Sequence, residues 1–149
     1  MTKKLIYKYK SEGTYLPKYT YCKVYNDGTL EAGEGWIGDN KDEHHATKKL
    51  SSVAIRDIQR VIDQNYKIFE IDSLESPGVQ VLDGSSQTLY FSDERQNCTF
   101  KIENLWLQIG EYKEENRGKV ETPNMDLVVK VYEEIRNILI KNGLSSEMF

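Results

Sequence analysis

Asp39, Asp42, Glu43, His44 and His45 crowd potential metal ligands into one short stretch of the chain. A calcium loop of the EF-hand kind starting at Asp39 wants a glycine at its sixth position and a glutamate at its last, where this chain has His44 and Leu50. Zinc favours histidine, but adjacent histidines seldom turn toward one ion, and ligands at helical spacing are absent. A solvated polar loop accounts for the same residues. A metal-binding protein or enzyme built on the Trp36 to His45 loop stands as an alternative.

Gly33-Glu34-Gly35-Trp36-Ile37-Gly38 has the spacing of a dinucleotide-binding loop, in which glycines let the backbone approach a pyrophosphate at a helix N-terminus. The context opposes it: Asp39-Asn40-Lys41-Asp42-Glu43 follows, which is no amphipathic helix and would repel phosphate. Nucleophilic catalysis would need Cys22 or Cys98 near a histidine. Neither cysteine lies in a glycine-rich elbow or at a helix start that would lower its pKa, so both are expected to be buried, reduced and inert. No catalytic residue and no cofactor are assigned.

Tyr7, Tyr9, Tyr15, Tyr19, Tyr21 and Tyr25 interleave with lysines near the N-terminus. If Cys22 and Val24 face the core, a two-residue repeat turns Tyr19, Tyr21 and Tyr25 outward together, because the opposite register would bury Lys23. An outward row of rigid amphipathic rings fits a contact surface for another protein. Tyr19, Tyr21 and Tyr25 are therefore the candidate binding residues, with Trp36 on the adjoining loop as an anchor. Removing Tyr19 and Tyr21 should then leave stability nearly unchanged. Aromatic rings beside positive charge also suit single-stranded bases, a second alternative.

Composition narrows the field. The 149 residues carry a net charge of −4, yet the first 25 hold six lysines against Glu12 alone, a local +5 that leaves −9 for the remainder. An acidic body with one basic patch disfavours general nucleic-acid binding. No apolar run approaches the length needed to span a bilayer or serve as a signal peptide, so a cytoplasmic, membrane-free protein is expected. Asn97-Cys98-Thr99 matches a glycosylation acceptor, which has no use in that compartment.

The elements that must position these residues follow from periodicity. Alternation marks strands at Lys4 to Lys10 and Tyr19 to Tyr25, and Asn26-Asp27-Gly28 turns the second into Thr29-Leu30-Glu31-Ala32, a hairpin over residues 19 to 34. Gly33 to Lys49 reads as a long exposed loop. Ser51 or Ser52 caps a helix ending near Asn65, with Ala54, Ile55, Ile58, Val61 and Ile62 on its apolar face. Strands are expected at Lys67 to Asp72, Val79 to Asp83, Gln87 to Ser92 and Cys98 to Glu103. Thr122 and Pro123 open a second helix that Gly143 stops, and Leu144 to Phe149 should fray.

The whole chain, residues 1 to 149, is thus expected to be one α+β domain: a mainly antiparallel sheet of about six or seven strands in a hairpin meander, with two α-helices packed against it. The expected function is non-enzymatic binding of another protein, of the inhibitor, immunity or adaptor type.

Overall fold

The computed structural model describes residues 3–13, 16–75, 84–110 and 121–145. Six strands, β1 (Leu5–Gly13), β2 (Lys18–Tyr25), β3 (Thr29–Trp36), β4 (His44–Lys49), β5 (Ser85–Ser92) and β6 (Asn97–Glu103), form one sheet in the order β4-β3-β2-β1-β5-β6. Every neighbouring pair is antiparallel. Two helices, α1 (Ser52–Gln64) and α2 (Pro123–Lys141), pack on one face, giving the expected α+β architecture.

Local chemistry explains the elements. Gly28 takes φ +95° at the β2–β3 turn, where Asp27 Oδ1 accepts from the Thr29 amide at 2.8 Å. Ser51 caps α1 by accepting from the Ala54 amide at 3.1 Å, and Ala54, Ile55, Ile58 and Ile62 are buried. At the end of α2, Gly143 at φ +97° lets its own amide reach Ile140 O at 3.1 Å and the Leu144 amide reach Leu139 O at 3.0 Å, a Schellman motif. Its start is capped from a distance: Glu75 accepts from the amides of Asn124 at 3.3 Å and Met125 at 2.9 Å. Burial is the largest single influence and raises the Glu75 pKa, but the backbone bonds together outweigh it and hold the carboxyl below its ordinary value.

The core lies between the helices and the inner sheet face. Tyr7, Val24, Leu30, Leu89 and Phe91 from the strands meet Ile58, Ile62, Val128, Ile135 and Leu139 from the helices. A bulge between Leu5 and Tyr7 interrupts the alternation of β1. Ile6 and Tyr7 are consequently both buried, although strict alternation would put Ile6 outside.

Two expected elements differ. The loop foreseen from Gly33 to Lys49 is shorter, because β3 continues to Trp36 and His44–Lys49 pairs with it as the edge strand β4. All six residues of β4 are exposed, so there is no buried face to impress a period of two on the sequence. Lys67 to Asp72 is not a strand; Tyr66–Glu70 makes a 3₁₀ turn that buries Ile68. The strand expected at Val79 to Asp83 lies outside the described residues. No described helix is long and apolar enough to cross a membrane.

Candidate site on the outer face of the sheet

Register sorts the strand residues between the two sheet faces. With Cys22 and Val24 buried inside, Tyr19, Tyr21, Lys23 and Tyr25 of β2 project outward, as their parity requires. They stand beside Glu12, Lys10 and Lys8 of β1 on one side and Gly35, Gly33 and Glu31 of β3 on the other. Beyond β1, the same parity brings Thr88 and Tyr90 of β5 and Lys101 of β6 to this face. Trp36 does not join them. It pairs with Lys18, one residue out of phase with Gly33 and Gly35, and so lies on the opposite face. There Lys18 Nζ sits 4.6 Å from the Trp36 ring centre.

The glycines of the supposed nucleotide loop have another purpose. A Cβ on Gly33 would come within 2.6 Å of Tyr21 Oη, and one on Gly35 within 2.7 Å of Tyr19 Oη. Each tyrosine ring therefore lies across the glycine paired with it, and only glycine leaves room. The two rings stack on each other with centres 6.2 Å apart and planes 24° apart. Tyr19 and Tyr21 are half-buried in consequence, and Tyr25 is half-buried as well, so the row is less open than one of free rings.

Asp42, in the connection between β3 and β4, accepts hydrogen bonds from both hydroxyls, Tyr21 at 2.5 Å and Tyr19. The paired phenols hold its carboxyl below the usual carboxylate pKa. Reciprocally, the bond to Asp42 pushes the Tyr19 phenol up to about 12. Burial, followed by the same bond, raises Tyr21 as well. Asp42 thus serves as a latch that ties the loop to the sheet. His44 and His45 occupy successive positions of β4 and project to opposite faces, so they do not converge on one ion. Among the described residues, no group of three His, Cys, Asp or Glu side chains could hold a metal.

Lysines fill the spaces between the rings. Lys3 Nζ lies 4.2 Å from the Tyr25 centre, Lys10 5.3 Å from Tyr19 and Lys23 5.3 Å from Tyr21. Lys3 also pairs with Glu31 at 3.4 Å, and Lys10 with Glu12 at 3.8 Å. Lys8 and Lys23 face one another in register and neither forms an ion pair among the described residues, although Glu31 lies opposite Lys23 on β3. Partial burial, then the charges of Lys23 and Lys10, lower the Lys8 pKa.

The cysteines are thiols. Burial pushes both up to about 12, far from a reactive thiolate. Cys22 is buried as expected, but Cys98 is only half-buried, because β6 is an edge strand. Compared with known proteins, the chain matches no family model and no curated sequence.

Proposed function

We propose that this chain is a non-enzymatic protein-binding module that takes an acidic partner protein on the outer face of its sheet. The observation that carries the reading is the Lys8–Lys23 pair, like charges directly opposite on adjacent strands, neither of which forms an ion pair among the described residues; Glu31, opposite Lys23 on β3, is paired with Lys3. Such a pair destabilises the free sheet and is relieved by carboxylates from outside. Tyr21, Tyr25 and Tyr90 supply rigid contact area around it. This is the chemistry of an inhibitor, immunity protein or adaptor rather than of a catalyst.

Single-stranded nucleic acid draws on the same row and is less well supported. Lysine ammonium groups already sit against the rings of Tyr19, Tyr21 and Tyr25, and Glu12, Glu31, Asp42 and Glu103 border the same surface. Bases seeking to stack would have to displace the lysines. The test is affinity capture from the native host with wild type and with the double variant Lys8→Glu/Lys23→Glu. Loss of a specific acidic protein from the variant supports the reading, especially if a Lys substitution in that partner's acidic patch restores it. Equal capture by both forms, or replacement of the protein by nuclease-sensitive material, contradicts it.

A further inference from the structure

A cavity of about 420 Å³ opens on the other side of the sheet, between β1, β5, the 3₁₀ turn Leu105–Gln108 and α2. Its size falls within the roughly 300–1,000 Å³ of small-ligand sites. The inner face explains why it exists. Along β1 the inward residues run Tyr7, Tyr9, Ser11, and along β5 they run Phe91, Leu89, Gln87, Ser85, so the face turns from apolar to small and polar where the cavity begins.

The polar groups there are pre-arranged. Gln87 is 4% exposed; its amide nitrogen donates to Ser11 Oγ at 3.0 Å and Ser85 Oγ at 2.7 Å, and its oxygen accepts from the Leu105 amide at 2.7 Å. Ser85, which accepts in this way, keeps its own proton to donate, whereas the Ser11 hydroxyl is engaged with Tyr9. Ser11 continues to Tyr9, which is also bonded to Tyr132, and the two rings lie 5.5 Å apart. Burial raises the pKa of both phenols, and Arg136, on the next turn of α2, offsets part of that rise through its positive charge. Leu105 and Ile109 provide apolar wall, and Trp106 stands 43% exposed at the rim.

We infer that this cavity binds a small aromatic monocarboxylate, with the carboxylate at Arg136 and the Ser85 hydroxyl and the ring among Tyr132, Trp106 and Ile109. The guanidinium matches a planar carboxylate in geometry as well as charge. Glu133, also lining the cavity, disfavours polyanions such as nucleotides. The site is separate from the outer face and does not depend on protein binding there.

The test titrates the full chain with 3-phenylpropionate and, separately, with its uncharged amide, following the methyl NMR signals of Leu105 and Ile109. Saturable shifts are expected, with the acid binding about tenfold more tightly than the amide, as a charge-assisted bond requires. Arg136→Gln should erase that preference, whereas Lys23→Thr on the outer face should not. Absence of shifts at Leu105 and Ile109 at about millimolar ligand, or equal binding of acid and amide by the wild type, overturns the inference. The wild-type comparison holds even if the Arg136 variant folds poorly.

Discussion

Lys8 and Lys23 stand directly opposite one another across the β1–β2 ladder, on the sheet face that neither helix covers. A sheet built only for stability would place opposite charges or apolar groups there. Local violations of this kind are expected where a surface serves binding.

Lys23→Thr should therefore stabilise the free protein, by about 0.2–1 kcal/mol, since it removes a like-charge pair while retaining β-propensity. Urea denaturation measures the change. The same variant should move the Lys8 pKa back up toward that of an ordinary lysine, because Lys23 is the largest like-charge contributor to its depression. A loss of stability would mean that the Lys23 contact with the Tyr21 ring outweighs the repulsion.

Gly33→Ala should destabilise the fold by about 1–3 kcal/mol, as overpacking does, because the new methyl meets the Tyr21 ring, which its stacking on Tyr19 and its bond to Asp42 hold in place. For the same reason Tyr21→Ser should cost more than an ordinary surface change, contrary to the expectation from sequence that the row is dispensable for folding. The paired variant Gly33→Ala/Tyr21→Ser should recover part of the loss from Gly33→Ala. Strict additivity of the two changes would show that ring and glycine do not touch.

Asp42 should titrate below the ordinary aspartate value of about 3.9 and return toward it in Tyr19→Phe/Tyr21→Phe, as followed by carboxyl NMR. A depressed folded pKa contributes stability that is present above the unfolded value and is lost as pH falls through the folded one. The tyrosines act at the other end of the scale. The raised Tyr19 pKa, about 12, means that its share is intact below about 10 and is lost as pH rises toward 12. An Asp42 pKa unchanged by removing both hydroxyls would refute the latch.

How much of this was legible beforehand depends on which residues carried a buried face. Cys22 and Val24 impressed their parity on β2, so the outward direction of Tyr19, Tyr21 and Tyr25 followed from the sequence alone. The exposed β4 carried no such imprint, and the short apolar run Ile68-Phe69 is as compatible with a 3₁₀ turn that buries Ile68 as with a strand. The sequence places Trp36 on a loop, whereas β3 continues through it, and each one-residue step along the strand switches the face a side chain takes. The Asp42 latch and the Glu75 cap join residues separated by 21 and 49 or more positions, distances at which pattern reading has no purchase.

Thiol labelling separates the two cysteines. Cys22 should react only on global unfolding, whereas Cys98, half-exposed on the edge strand but with its pKa near 12, should react faster than Cys22 and far more slowly than an unfolded control. Equal rates for Cys98 and the unfolded control would place its thiol outside the core.

The most direct test of the outer-face reading is site-specific photo-crosslinking in the native host, with the reactive side chain placed in turn at Tyr90 on the outer face and at Trp36 on the inner one. Crosslinks from position 90 to one acidic protein, absent from position 36 and abolished by Lys8→Glu/Lys23→Glu, are the predicted result. Crosslinks to that protein from position 36 alone would contradict the account.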